Sequence, residues 1–424
     1  MRKFKLTEDW TSTVLGIFIV FLVLGLVSFS VIPKWPSFSW GSADKSLAGV
    51  FAFDNLGHTV IVFCFSLIIA MLADLLMGRS VKNSLRSYPV VFVLTLVGML
   101  LGGNMFMKEW GLETVIFCLV LGLFISNVFG IPKWLKESLS SEMFVKIGLV
   151  ILGTNVIFGD LLKAGSLGLI QSVVVVFSVW YFAFWVCKKL KVDKEMSMML
   201  SSAVSICGVS AAVATAGAIR GDKAKLSYVV SLVLFVAVPM IIIMPYLAKW
   251  LGLSAPVAGA WVGGTIDTTG AVVATGSIAG EEALKYATIV KFSQNVLLGI
   301  AAFIISVYWT YTNKEVAAED KPSAKVIWQR FPKFVLGFIF TSLLFSFFIS
   351  GDLVSGAQPL LKKIQGLWFA LAFTSIGLET NLKSLFNNQN GKATKAFLIA
   401  QGFNIVLTLV VAWFLFDVVM GWLS

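Results

Sequence analysis

The chain has 424 residues, of which 58% are hydrophobic and only 13% charged, about half the charged share of a soluble protein. Mean hydropathy is +0.91. A water-soluble domain of this length needs far more polar surface, so a soluble enzyme, a nucleic-acid binder and a secreted scaffold are excluded, and the class is a polytopic all-α membrane protein. The net charge of +11 reads as Lys and Arg in cytoplasmic loops rather than as a nucleic-acid surface. A single histidine, His58, leaves no His-rich metal site. Cys64, Cys118, Cys187 and Cys207 lie in apolar stretches without CxxC spacing, which argues against both a disulfide framework and zinc.

A span needs about 20 mostly apolar residues. On that measure thirteen segments follow one another, near 13–33, 58–78, 88–104, 112–131, 142–161, 165–187, 196–219, 226–249, 256–279, 284–311, 334–350, 364–385 and 396–422. The run Val14–Ile32 is long enough to span and is not closed by a clean small-residue cleavage site, so it reads as a retained first helix rather than a signal peptide. The connection 34–57 carries Trp35, Pro36 and Trp40, an interfacial signature. The connection 312–333, TNKEVAAEDKPSAKVIWQRFPK, reads as the linker within a single transmembrane domain whose halves are about 1–220 and 226–424. No gap holds a soluble domain, and Pro132–Glu142 reads as an amphipathic stretch outside the membrane. Trp10, Trp110, Trp134, Trp250 and Trp368 stand at segment edges, as an aromatic belt would.

Loops rich in Lys and Arg set the orientation. With the N-terminus inside, simple alternation places most of them inside but puts Arg220–Lys225 outside. The conflict disappears if 196–219 is a re-entrant hairpin from the cytoplasm and 256–279 a second one from outside. About eleven full spans then remain, with the C-terminus outside. The alternative keeps both segments as spanning helices broken in the middle. Ser205–Thr215 (SICGVSAAVAT) and Thr265–Thr275 (TIDTTGAVVAT) are identical at five of eleven positions. Ile151–Leu162 (ILGTNVIFGDLL) and Ser375–Phe386 (SIGLETNLKSLF) form a second pair. Related segments that enter from opposite sides are the mark of an inverted-repeat transporter. Chance likeness between small-residue helices is the alternative.

The segments 196–219 and 256–279 are crowded with Ser, Thr, Gly and Ala. Gly208, Gly263, Gly264 and Gly270 would allow a break, and irregular backbone at membrane depth must face protein or a watery cavity. Freed N–H groups at half-helix starts bind anions, and freed carbonyls bind cations. Ser205, Ser210, Thr265, Thr268 and Thr269 add hydroxyls. The competing reading is that small residues pack closely and the hydroxyls bond back to the preceding turn. Asp267 sits mid-segment, where a carboxylate costs at least about 2.5–3.5 kcal/mol and needs a partner, a proton or an ion. Lys291, near Gln294 and Asn295 on one helix face, is the expected partner, with snorkelling as its alternative. Glu379 and its neutral repeat counterpart Asn155 lie near helix ends, and Asp74 and Glu113 read as interfacial. No zinc motif, phosphate loop or nucleophile–base set is present, so an enzyme is not expected.

From about Lys146 onward the chain resembles the sulfate exporter (YeiH-like) family of bacterial membrane proteins. The resemblance rests on LVILGTN, SAVSICGVSA, WVGGTIDTTGAVVAT, ATIVKFSQN and SIGLETNL in that order. It implies an inner-membrane secondary transporter with inverted repeats, related to cation/proton antiporters and anion transporters. Cys207–Gly208, Asp267 and Lys291 match the family pattern. Ile266 stands where the family shows His, and Gln294 where it shows Arg; losing those positive groups disfavours a divalent anion. The expected substrate-binding set is Asn155, Ser205, Cys207, Gly208, Ser210, Thr265, Asp267, Thr268, Thr269, Lys291 and Gln294. The expected cargo is a small anion, sulfate-like, organic acid or sulfonate, with H+ or Na+ as coupling ion and no cofactor. The other reading is a cation or proton antiporter using Asp267. Association as a homodimer is left open.

Overall fold

The computed structural model describes residues 5–42, 45–109, 112–312, 325–380 and 391–423. Its main helices are α1 (Glu8–Ser28), α2 (Phe53–Met77), α3 (Val81–Gly102), α4 (Thr114–Val128), α5 (Ser141–Leu152), α6 (Phe158–Lys189), α7 (Lys194–Ser202), α8 (Val209–Ile219), α9 (Lys223–Trp250), α10 (Ala255–Thr265), α11 (Thr269–Ala279), α12 (Glu281–Thr312), α13 (Lys333–Leu343), α14 (Gly351–Glu379) and α15 (Gly391–Trp413). Among the described residues seven helices, α1, α2, α3, α6, α9, α12 and α15, are long and apolar enough to cross a membrane. The protein is therefore a polytopic, all-α membrane protein. The polar starts are explained locally. Thr7 accepts from Trp10 N ahead of α1, and Asp222 accepts from Ala224 N and Lys225 N ahead of α9, satisfying amides that a helix start leaves free.

Each expected segment coincides with helical structure, but 142–161 is not one span. α5 is twelve residues long, tightens into a 3-10 turn at Gly153–Asn155 and stops at extended Val156. α6 then begins at Phe158. Two serines stabilise this break: Ser342 Oγ donates to Val156 O, and Phe158 N donates to Ser346 Oγ. The expected linker 312–333 falls largely outside the described residues, as does the C-terminal part of the repeat segment 375–386.

The chain divides into two compact units that interleave along the sequence. One comprises Met1–Phe158 and Lys333–Asn381, the other Gly159–Pro332 and Leu382–Ser424. In the first unit α4 and α14 cross at paired glycines. A Cβ on Gly122 would lie 2.5 Å from Thr374 O, and one on Gly377 2.4 Å from Leu119 O. Small residues let helix backbones approach where lipid offers no hydrophobic drive for association. Lys146 of α5 pairs with Glu8, Asp9 and Glu142 at 2.8–3.0 Å, tying α5 to the start of α1. One expectation fails here. Trp368 is fully buried against Phe144 and is not a belt residue. Asp74 lies in the last turn of α2, as expected of a segment end, and is buried, with the N–H and hydroxyl of Ser84 both donating to its carboxylate. The Trp110 position lies outside the described residues.

The second unit contains the two unusual segments, and both are hairpins. In 196–219, α7 winds through a π-helical turn at Ala203–Cys207, reverses at Gly208 and returns as α8. Its two ends meet. Lys225 Nζ lies 2.6 Å from Asp193 and 3.2 Å from Glu195, and Asp222 N donates to Glu195. Arg220–Lys225 therefore shares a side with Lys188–Lys194, as the charge bias requires. The reversal needs glycine: Gly208 has φ +60° and ψ −113°, and a Cβ there would sit 2.8 Å from Val233 Cγ1. In 256–279, α10 and α11 flank a break at Ile266–Thr268. Gly259 and Gly263 of α10 pack against Ala283 and Ala287 of α12, so these helices run parallel. Gly276 of α11 packs against Leu284 near the same end of α12, while Thr269 bonds Asn295 deeper along it, so α11 returns antiparallel. α9 runs its 28 residues between the two hairpins, which therefore enter from opposite sides. The matched segments take the same local form: α8 and α11 are each eleven residues long and begin at Val209 and Thr269.

Sidedness is directly measurable in a cysteine-free background. Lys194→Cys and Gly221→Cys should react with an impermeant thiol reagent from one side of the membrane, and Ser254→Cys and Gly280→Cys from the other. Labelling of 194 and 221 from opposite sides would mean that the segment spans. Gly208→Ala should lower stability by about 1–3 kcal/mol, the range for a strained backbone position, read as a lower unfolding midpoint in detergent.

Candidate functional site

The tips of the two hairpins touch. A Cβ on Gly208 would be 3.1 Å from Asp267 Cβ and 3.2 Å from Thr268 Cγ2. The contact lies mid-span: Val233 is the eleventh residue of α9, and Lys291 the eleventh of α12. Each tip frees backbone carbonyls that would otherwise continue a helix, and a buried unpaired carbonyl costs several kcal/mol in apolar surroundings.

Side chains from flanking helices satisfy those carbonyls. Lys291, wholly buried, donates to Ile206 O and Ile266 O at 2.8 Å each and to Gln294 Oε1 at 2.7 Å. An ammonium has three protons, and all three are used. Gln294 in turn donates through Nε2 to Ser205 O and Gly264 O. From α15, Asn404 donates to Val204 O and Thr265 O, Gln401 donates to Thr265 O, and Thr408 fixes Asn404 by donating to its Oδ1. Gln171 of α6 donates to Ala260 O. The C-terminal ends of the first arms, α7 and α10, are thus bolted to α12 and α15. These ends carry the negative pole of the helix dipole, so a lysine there is electrostatically favoured.

The N-terminal ends of the second arms differ. Thr268 caps α11 by accepting from Ala271 N, and Asn295 Nδ2 donates to Thr269 Oγ1. At α8 the cap position is Gly208, with no side-chain cap. Ser210 is exposed on the surface of this unit, and Thr268, Thr269 and Gly270 are partly exposed beside it. Asp267 is 2% exposed, and its Oδ2 is buried without a hydrogen-bond partner.

Of the expected residues, ten gather at this junction in one unit. Asn155 belongs to the other unit, where its amide faces Gln365 at 3.4 Å. Asp267 and Lys291 do share a region, but not as an ion pair: the lysine holds the carbonyl of Ile266, the residue before the carboxylate, rather than the carboxylate itself. Ser205 contributes its carbonyl, because its hydroxyl bonds back to Ser201 O. Thr265 likewise contributes a carbonyl while its hydroxyl is unpartnered. Cys207 packs in an apolar cluster with Ile206, Ala211 and Leu298. Glu379 accepts from Ser141 Oγ at 2.6 Å in the first unit. Gln171, Gln401 and Asn404 are absent from the expected set. The signal for the last two is AQGFN, an amide pair one turn apart inside an otherwise apolar helix, which is costly unless it has partners.

Comparison with known proteins agrees with this membrane architecture. Residues 89–421 match the family model described as Conserved hypothetical protein 698. A UPF0324 membrane protein of Rhodopirellula baltica is 39% identical over 92% of this chain and 72% of its own length. One of Nitratidesulfovibrio vulgaris is 38% identical over 81% of this chain, which spans only 61% of that relative's length. A third, from Nitrosomonas europaea, is 27% identical over 89% of each chain. No solved structure matches significantly. These names specify a membrane family and no substrate. The chain belongs to the UPF0324 membrane protein family.

Proposed function

We propose that this protein is a secondary transporter that carries a small anion, a sulfate-like ion, a small organic acid or a sulfonate, across the bacterial inner membrane by alternating access. The observation that carries this reading is an asymmetry at the hairpin junction. The carbonyl ends of the broken helices are closed by Lys291, Gln294, Gln401 and Asn404. The amide end of α8 has no side-chain cap and emerges beside exposed Ser210 and partly exposed Thr268–Gly270. Amide ends are anion sites, and hydroxyls beside them add neutral donors. Opposed re-entrant hairpins meeting mid-span are also the framework on which one rigid body can move past another in alternating access. H+ or Na+ would supply the driving gradient.

A second reading, a cation or proton antiporter, is favoured by one observation: the buried, unpartnered Oδ2 of Asp267. In that case the carboxylate is the ion carrier.

The two readings separate in a thermal-shift screen of detergent-purified protein at constant ionic strength. Sulfate, sulfite, sulfonates or carboxylates should raise the unfolding midpoint, and Ser210→Asp, which places a fixed negative charge at the start of α8, should abolish that rise. Absence of stabilisation by any anion sinks the anion reading; a midpoint that shifts with pH and loses that shift in Asp267→Asn supports the second. Asp267→Asn should retain the fold and lose transport in proteoliposomes. Lys291→Met strips a hydrogen-bond donor from three buried oxygens and should destabilise by about 3–5 kcal/mol, the usual penalty for removing one side of a buried charged contact. Its yield of folded, monodisperse protein should fall sharply.

A further inference from the structure

The oxygens around Lys291 make a cage that is unusual for a lysine. Two are main-chain carbonyls, Ile206 O and Ile266 O, one from each hairpin tip, and the third is the side-chain oxygen Gln294 Oε1. All lie 2.7–2.8 Å from one nitrogen, in a pocket where the lysine is wholly buried. Both carbonyls stand at helix C-terminal ends, where partial negative charge accumulates. Neutral carbonyl and amide oxygens converging on a point are the donor set of a hard monovalent cation. Asp267 adjoins Ile266, and its buried Oδ2 has no hydrogen-bond partner.

We infer that the hairpin junction is a monovalent-cation site occupied by the chain's own ammonium, with Lys291 as a tethered cation that closes the site to Na+. The lysine joins the two tips electrostatically as a bound sodium ion would, but it cannot dissociate. Na+ therefore has no place at this junction as a coupling ion. This deepens the transporter reading by narrowing how the site can be coupled, and rests on it only for that consequence; the cage itself is independent of which substrate is carried.

The test needs no substrate, so its failure is distinguishable from failure of the anion reading. Unfolding midpoints are compared in sodium chloride and choline chloride at equal ionic strength. For the wild-type protein the two should coincide; a saturable sodium-specific rise would overturn the inference. Lys291→Ala leaves the cage empty, and should gain a saturable rise of about 2 °C or more with Na+ or K+, or with propylammonium, which restores the missing ammonium arm. Lys291→Met fills the same space with an apolar chain and should gain nothing. Adding Gln294→Ala to Lys291→Ala removes one cage oxygen and should weaken the effect. If Lys291→Ala folds poorly, purification in sodium or propylammonium should recover it where choline does not. No recovery of Lys291→Ala in any of these cations, or equal stability of Lys291→Ala in sodium and choline, would overturn the inference.

Discussion

Breaking a helix at membrane depth releases carbonyls and amides that lipid cannot hydrogen-bond, and the rest of this junction follows from how those groups are satisfied. Lys291 is the central element of the solution. It touches a carbonyl from each hairpin tip and an amide from its own helix, so three segments far apart in sequence depend on one nitrogen. Around it, Gln294, Gln401 and Asn404 repeat the same action with neutral amides. Each has a donor aimed at an orphan carbonyl, which is why these polar residues are tolerated in helices that are otherwise apolar.

The same demand accounts for the close packing around the hairpins. A hairpin tip can reach mid-span only if its arms lie tight against a full-length helix. Gly259 and Gly263 provide that by letting α10 rest on the backbone of α12 at Ala283 and Ala287. At Gly208 the constraint is conformational as well as spatial, since the positive φ and the contact with Val233 both exclude a side chain. In the other unit, crossing at Gly122 and Gly377 shows the same packing logic. The break after α5 is handled by serine hydroxyls instead of charged groups.

Chemically, the junction separates two kinds of helix end. Its carbonyl ends are internally closed and carry a built-in positive charge. Its amide ends are less completely closed, and the residues that flank them carry hydroxyls and reach the surface of the unit. A buried carboxylate oxygen without a partner sits between the two. Under the transport proposal, the amide side takes the negative species and the carbonyl side serves as a rigid support.

Much of this was legible along the chain. Hydropathy set the class and located all thirteen apolar segments, because a span's composition is a local property of about 20 residues. The clusters of Gly, Ser and Thr, and the match of Ser205–Thr215 with Thr265–Thr275, marked both segments as broken and placed the breaks near Gly208 and Gly264–Gly270, since such residues tolerate irregular backbone. The positive charge at Arg220–Lys225 already argued for a hairpin over a spanning helix. What the tertiary structure alone decided is which donor meets which oxygen. Lys291 reaches a carbonyl 85 residues away, and Asn404 one 200 residues away, separations that no periodicity records. Hence the expected Asp267–Lys291 ion pair became a lysine–carbonyl cage, Gln401 and Asn404 joined the site, and Trp368 moved from an expected belt to the core. The interleaving of the two units belongs to the same class of fact: contiguity in sequence reports local helix formation, whereas the set of helices that share a core is chosen by packing between distant segments.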